Sequence, residues 1–216
     1  MTRFLFCTAC TILLTLRPAL PVPQTQTISV PHKNPALAEK IQLAGVNNAG
    51  KINDHLFRGA QPNTEGVQSL RKLGVTTVIA LRGEDRGRTD SEKTQTEGLG
   101  MKFLLIPEGN WSSPADEQIA EFFRTLTQRP QQTIFVHCHY GEDRTGVFIA
   151  AYRMTFEHWT PQQALAEMHE FHFNSFWHPN LESYVKHFPQ RLAQSPTLAP
   201  YRLAPASAAA ASTSAH

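Results

Sequence analysis

The sequence predicts an α/β fold in which helices flank a central, mostly parallel sheet. Short apolar runs rich in β-branched residues alternate with longer stretches of helical periodicity, which is the pattern of strands joined by crossover helices. The clearest apolar runs are 75–81, 102–107 and 133–138. Because ligands in such sheets bind beyond the carboxyl ends of the strands, we expect the functional residues in the loops that follow these runs.

The length and composition are those of one globular domain with tails. The chain has 216 residues, of which 41% are hydrophobic, and a formal net charge of +2. These values fit a single domain with an adequate core. No block of basic residues alternates with aromatic ones, so the sequence predicts no nucleic-acid partner.

Four segments follow from the composition along the chain. Residues 1–26 contain an apolar run too short to span a bilayer comfortably, followed by prolines, which predicts a signal peptide or an N-terminal anchor. We therefore expect a periplasmic or secreted protein, or one tethered to the membrane if this segment is not cleaved. Residues 27–51 are predicted as a loose lead-in, 52–190 as the domain and 191–216 as a disordered tail.

Turn and cap signals bound the elements in the first half of the domain. Asn63 is a good N-cap for a helix that Gly74 ends. The charged loop 82–88 comes before a helix of about ten residues that ends at Gly98 or Gly100. The other predicted elements are a strand at 56–59, a strand at 75–81 and a strand at 102–107.

The second half of the domain begins with a loop at 108–113. Ser113 to Asp116 has the spacing of a capping box with Pro114 at the first helical position, and the apolar residues after it repeat at helical spacing. The run 145–157 is apolar nearly all round, so we predict a buried helix there. The remaining predicted elements are the central strand 133–138, a helix at 160–171 and a short helix at 180–188.

The junction between the central strand and the buried helix carries the chemistry. Five residues separate Cys138, at the end of the strand, from Arg144, at the start of the helix. The N–H groups of a helix N-terminus and of a turning loop bind anions, and Gly141 permits the turn. Arg144 offers two parallel donors that match phosphate oxygens. The same positive field favours a thiolate at Cys138, which is then a nucleophile aimed at phosphorus.

The stretch from His137 to Gly146 resembles the signature loop of cysteine-based protein tyrosine phosphatases, including dual-specificity ones. Residues 57–62 and 73–83 are similar to the atypical, plant-and-fungal-type dual-specificity phosphatases and their bacterial relatives. The resemblance covers about residues 52–190 and implies the phosphotyrosine phosphatase fold.

The resemblance also implies roles for individual residues. Cys138 corresponds to the nucleophile, Arg144 to the phosphate-binding arginine, and Thr145 to the hydroxyl that supports the thiolate and helps to hydrolyse the phosphocysteine. The residues that we expect to contact the substrate are those of the loop, together with an arginine beyond a neighbouring strand: His139, Tyr140, Gly141, Glu142 and Arg82.

Three carboxyl groups are candidates for the general acid that protonates the leaving oxygen. Asp143 lies beside Arg144, as in similar-looking loops of bacterial lipid-type and myotubularin-like phosphatases. Glu108 lies where related enzymes carry a mobile acid, although the usual Trp-Pro-Asp is missing. Asp116 is close to that loop but fits helix capping better. We expect Asp143 first, then Glu108 and then Asp116.

The expected function is the hydrolysis of phosphomonoesters through a phosphocysteine intermediate, with no cofactor and no metal. The partner is then a phosphorylated protein, through its phosphotyrosine, or a small phosphorylated metabolite. A phosphatase of inositol phosphates or phosphoinositides and a phosphate-binding pseudophosphatase are the alternatives. Glu142 places a negative charge where inositide-type enzymes often carry lysines, which favours phosphotyrosine or a small phosphoester.

Overall fold

The computed structural model describes residues 36–109, 111–129 and 131–202. The predicted signal peptide or anchor at 1–26 and the predicted tail beyond residue 202 lie outside these residues. Within the described ranges, no helix combines the length and the apolar character needed to cross a membrane.

A mixed sheet organises the described residues. Its strands are β1 (Glu39–Lys40), β2 (Gly50–Asn53), β3 (Leu56–Ala60), β4 (Thr77–Ala80), β5 (Lys102–Leu105) and β6 (Ile134–Cys138). Across the sheet they follow the order β1-β2-β3-β6-β4-β5. The pairs β3–β6, β6–β4 and β4–β5 are parallel, whereas the pairs β1–β2 and β2–β3 are antiparallel. The predicted mostly parallel sheet is confirmed, with β6 in its middle.

The described residues form six α-helices, five of which contribute side chains to two apolar clusters with the sheet. The six helices are α1 (Thr64–Lys72), α2 (Arg86–Gly98), α3 (Asp116–Gln128), α4 (Asp143–Phe156), α5 (Pro161–Glu170) and α6 (Pro179–Gln194). Side chains alternate along β6, so Val136 and Cys138 join the cluster that includes α3 to α6, whereas Phe135 packs with α1. Helix α4 is buried along most of its length, as predicted.

Two boundaries differ from the sequence analysis near the N-terminal side of the domain. Strand β1 and the start of β2 lie in the segment 27–51, which was predicted as a loose lead-in. These strands are held by backbone pairing, which a short polar sequence does not reveal. Helix α2 begins inside the predicted loop 82–88, because the Asp85 side chain accepts a 3.1 Å hydrogen bond from the Arg88 N–H.

The predicted capping box at Ser113 is wrong. Helix α3 begins at Asp116, and Ala115 is its N-cap. The Gln118 side chain accepts a 2.6 Å hydrogen bond from the Ala115 N–H. The Gln118 side chain thus bonds the N–H of the N-cap residue, as the third helical residue of a capping box does, but the N-cap is Ala115 and not Ser113.

Residues 191–202 are folded onto the domain, although they were predicted as part of a disordered tail. Helix α6 continues to Gln194, and a 3₁₀ helix spans Ala199–Tyr201. Leu198 is fully buried, and the Tyr201 hydroxyl donates a 3.0 Å hydrogen bond to the Ala120 carbonyl oxygen. A few side chains attach this stretch to α3, and the Ala- and Pro-rich composition of the segment did not indicate these contacts.

Candidate active site

The loop that follows β6, residues 139–142, is held against strand β3. Gly141 has a φ angle of +74°, and a Cβ there would lie 2.4 Å from the Gly59 carbonyl carbon, so only glycine fits. The Gly141 carbonyl oxygen accepts a 2.7 Å hydrogen bond from the fully buried Arg58. Arg58 stacks on Phe171, with 4.0 Å between the guanidinium carbon and the ring centre. The loop is therefore shaped by its supports before any ligand binds.

Cys138 lies at the last position of β6, in the centre of the sheet, and is only 3% exposed. Because α4 begins at Asp143, the thiol precedes a helix N-terminus whose unpaired N–H groups favour an anion. Thr145 is fully buried in the first turn of α4, and its hydroxyl has no hydrogen-bond partner among the described residues. This hydroxyl makes no hydrogen bond to the Cys138 sulfur in this structure.

The guanidinium of Arg144 is anchored on one side and open on the other. Its Nη1 donates to the Leu81 and Glu108 carbonyl oxygens, both at 3.1 Å, and to the Glu84 carboxylate at 2.9 Å. Its Nη2 donates to the second oxygen of Glu84 at 3.0 Å. Among the described residues nothing accepts the Nε–H or the second Nη2–H, which share the opposite edge. That edge has the geometry to bind two oxygens of a phosphoryl group.

Glu84 connects Arg144 to a second arginine. Arg82, which is 4% exposed, donates from Nε to a Glu84 oxygen at 2.9 Å. Burial raises the pKa of Glu84, but the hydrogen bonds from Arg144, from the backbone and from Arg82 outweigh it and lower that pKa to about 2. The carboxylate stays ionised at any working pH and holds both guanidinium groups in place.

A chain of polar side chains supports the other face of β6. His137 lies 2.7 Å from Glu92 through Nε2, at ion-pair distance although not in line for a hydrogen bond, and its Nδ1 is 3.2 Å from the Cys138 carbonyl oxygen. Gln61 donates to Glu92 at 2.8 Å and accepts a hydrogen bond from Arg82. The strand that ends in the cysteine is thus linked through side chains to the arginine pair.

A cavity of about 430 Å³ brings six of the predicted residues together, whereas Gly141 and Thr145 are not part of its lining. It is lined by Arg82, Glu84, Trp111, Cys138, His139, Tyr140, Asp143, Arg144 and His178. Glu142 lines a neighbouring groove of about 630 Å³, which shares His139 and Tyr140 with the cavity. Within the described residues, no group of three or more His, Cys, Asp or Glu side chains is placed to hold a metal ion.

The three acid candidates occupy different places. Asp143 lines the cavity, and burial raises its pKa against the lowering effect of His178 and Arg144. Glu108 is 2% exposed and is not among the residues that line the cavity; burial raises its pKa to about 7. Asp116 forms an ion pair with Arg191 and does not line the cavity either.

Residues 37–186 match the family model described as a DSP-PTPase phosphatase fused to NAD⁺ kinase. The chain belongs to the dual-specificity phosphatase family. Dual specificity protein phosphatase TpbA of Pseudomonas aeruginosa is 27% identical over 137 residues, which are 63% of this chain and 59% of TpbA. Dual specificity protein phosphatase 26 of Homo sapiens is 28% identical over 151 residues, which are 66% of this chain and 69% of that protein.

The crystal structure of P. aeruginosa TpbA is similar to this dual-specificity phosphatase domain, with a TM-score of 0.61 and 25% identity. The match covers 79% of this chain and 96% of the crystallised one. The phosphatase fold predicted from the resemblance is therefore confirmed. The chain spans 59% of the length of the curated TpbA sequence.

Two residues of this dual-specificity phosphatase site were missed by the sequence analysis. Glu84 lies four residues after the end of β4, in a loop whose charges look merely solvated. His178 is the N-cap of α6 and lies far along the chain from the loop that it meets. A charged residue just beyond a strand end was the available signal for Glu84, whereas no sequence signal pointed to His178.

The buried carboxyl group of Glu108 is expected to appear in the pH dependence of stability. Its pKa is about 7 in the folded protein against an ordinary value of 4.5, so the folded state keeps a proton that the unfolded state has lost between these values. The free energy of unfolding therefore falls as the pH rises through this window. Glu108→Gln removes the titration, so from pH 5 to pH 8 the variant should gain about 2 kcal/mol relative to the parent.

Urea unfolding at both pH values measures this difference. Glu97→Gln is the control, because it makes the same change at an exposed position of α2. If Glu108→Gln follows the parent protein in parallel at both pH values, Glu108 does not titrate in this range.

Proposed function

We propose that this protein is a phosphatase that hydrolyses phosphotyrosine in proteins through a phosphocysteine intermediate. The observation that carries the proposal is the open edge of the Arg144 guanidinium, which belongs to the same cavity as the Cys138 thiol at the start of α4. The names of the relatives TpbA and dual specificity protein phosphatase 26 support the same reaction class.

The proposed reaction has two steps. The Cys138 thiolate attacks phosphorus, the phosphorus–oxygen ester bond breaks, and the leaving oxygen takes a proton from Asp143. The open edge of Arg144 and the loop N–H groups bind the phosphoryl oxygens as charge develops on them. A water molecule then attacks phosphorus, its proton passes to the Asp143 carboxylate, and inorganic phosphate leaves with the thiolate restored. The Thr145 hydroxyl supports the sulfur in both steps.

The charges around the cavity support a substrate with a single phosphate. Of its described lining residues, the two arginines, Arg82 and Arg144, are both bound to Glu84. Every arginine in the described lining is therefore already paired with a carboxylate, and the lining contains no lysine that could bind a second phosphate. Glu142 adds a carboxyl group on the loop, which disfavours a polyphosphorylated ring further.

The shape of the surface supports a phosphotyrosine within a polypeptide. Trp111 and Tyr140 line the cavity and are 68% and 63% exposed, so each offers a ring to an aromatic leaving group. Seven of the sixteen residues that line the neighbouring groove carry uncharged amide or aliphatic hydroxyl side chains, which can hydrogen-bond peptide backbone. These side chains are Asn47, Asn48, Gln61, Asn63, Thr64, Ser91 and Gln95. A small metabolite would leave this groove unused.

Steady-state hydrolysis of a phosphotyrosyl peptide, a phosphoseryl peptide and an inositol hexakisphosphate tests the proposal. Each assay is run with and without a chelator, and nitrophenyl phosphate serves as a generic substrate. We expect the phosphotyrosyl peptide to have the highest kcat/KM and the chelator to have no effect. A higher kcat/KM for the inositol phosphate would overturn the proposed phosphotyrosine substrate in favour of an inositol phosphate. Tungstate binding without any hydrolysis would show that the protein is a pseudophosphatase.

The acid assignment predicts a dependence on the leaving group. In Asp143→Asn the hydrolysis of an alkyl phosphate is expected to fall about a hundredfold, because a poor leaving group needs the proton most. Nitrophenyl phosphate should be affected much less, and the pH–rate profile should lose its alkaline limb. Glu108→Gln is the comparison and is expected to be mild on both substrates. The acid is Glu108 if the leaving-group effect appears in that variant instead.

A further inference from the structure

We propose that His178 is a positioning residue for the general acid: it holds the side chain of Asp143 and stabilises the carboxylate that remains after the proton has been delivered. This inference rests on the proposed function. It assigns a role to a residue on α6, an element that carries none of the residues of the signature loop.

The contact that carries the inference joins two elements across the cavity. The Nε2 atom of His178 lies 3.4 Å from an Asp143 carboxylate oxygen. The side chains are 13% and 23% exposed, respectively, and both line the cavity that contains Cys138. At this distance and burial, the imidazole favours the ionised form of the Asp143 carboxyl group.

The ring of His178 is fixed in place by its neighbours. It stacks on Trp111, with 4.9 Å between ring centres and 28° between planes, and on Phe173, at 6.5 Å and 27°. The Trp111 carbonyl oxygen accepts a 2.9 Å hydrogen bond from the Asn180 side chain, which ties this loop to the first turn of α6. Stacking against two aromatic side chains restricts the orientation of the imidazole and keeps its Nε2 atom beside Asp143.

The two ring nitrogens of His178 have different surroundings. Nδ1 is buried and has no hydrogen-bond partner among the described residues, whereas Nε2 faces Asp143. A neutral ring therefore carries its proton on Nε2, because a proton on Nδ1 would be a buried donor without an acceptor. In either charge state, the ring carries a proton on the nitrogen nearest to the Asp143 carboxyl group, at ion-pair distance although not in line for a hydrogen bond.

This arrangement fits the proton cycle of the proposed reaction. Asp143 is neutral before the first step and anionic after it, and the N–H of His178 interacts more strongly with the anion. The other charged groups near Asp143 are Arg144, which also favours the anion, and Glu142 and the Cys138 thiolate, which oppose it. His178 is the partner that approaches from outside the loop and α4.

Removing the imidazole is expected to change the acid step specifically. In His178→Ala, the rate of alkyl phosphate hydrolysis should fall about tenfold, with a smaller loss on nitrophenyl phosphate. The alkaline limb of the pH–rate profile should move to higher pH, because the Asp143 carboxylate loses a stabilising partner. His178→Gln keeps an N–H donor, so it should recover part of the rate and of the pH profile. His187→Gln makes the same replacement at an exposed position of α6 and serves as the matched control.

The outcomes separate this inference from the proposed function. If wild type hydrolyses nitrophenyl phosphate but both His178 variants keep its leaving-group dependence and its alkaline limb, the role of His178 is refuted and the phosphatase stands. An equal loss on both leaving groups, with no pH shift, also refutes it, since that result indicates a structural role. If wild type hydrolyses no phosphomonoester, the proposed function itself fails. Should His178→Ala not fold, His178→Gln alone decides, through its pH profile.

Discussion

Cys138→Ser is expected to abolish turnover while leaving the binding of oxyanions nearly intact. The serine hydroxyl is almost the same size as the thiol, and the loop is held by Arg58 and Gly59 rather than by the sulfur. An alkoxide is far harder to form at neutral pH than a thiolate, so kcat should fall by at least about 10³-fold, as when a covalent catalyst loses its nucleophile.

The measurement pairs nitrophenyl phosphate hydrolysis with calorimetric titration of tungstate into the same variant. Ser183→Ala, at an exposed position of α6, controls for handling and expression. Tungstate binding that persists without turnover supports a covalent role for Cys138. Turnover at a substantial fraction of the parent rate would falsify the phosphocysteine mechanism.

Arg144→Lys is expected to have the next largest effect. Lysine keeps the positive charge, but it cannot donate to Leu81, Glu84 and Glu108 on one side and to two phosphoryl oxygens on the other. We expect kcat to fall by about 10²- to 10³-fold, the scale on which a donor aimed at the transition state acts.

Arg86→Lys is the matched control for this variant. It makes the same exchange at an exposed position in the first turn of α2, outside the residues that line the cavity. Kinetics of Arg144→Lys within a few-fold of the parent would mean that Arg144 does not face the phosphate.

The sequence predicted those parts of the site that depend on local geometry. Cys138, Arg144 and Asp143 lie within one strand–loop–helix junction, so the spacing alone brings them to one end of the sheet. In the folded chain, all three line one cavity. Their catalytic roles stay predictions until the variants are measured.

The parts that were missed depend on contacts between distant segments. Glu84 and Arg144 are 60 residues apart, and only the folded sheet brings the loop after β4 beside the start of α4. The same holds for Leu198, which was assigned to a disordered tail because one buried leucine in an Ala- and Pro-rich stretch gives no periodic signal. Composition reports the average of a segment, whereas a fold can attach a segment through a few side chains.

The anchoring of Arg144 has a consequence for the entropy of ligand binding. A free arginine side chain loses about 2 kcal/mol of rotamer entropy when it clamps a ligand. Here four hydrogen bonds to Leu81, Glu84 and Glu108 impose that loss during folding. An oxyanion that enters therefore meets an arginine that has little motion left to lose. The entropy cost of ordering this side chain is thus part of the free energy of folding and not of the free energy of binding. Changes at Leu81, Glu84 or Glu108 that weaken these hydrogen bonds should therefore affect both the stability of the domain and the affinity of its site.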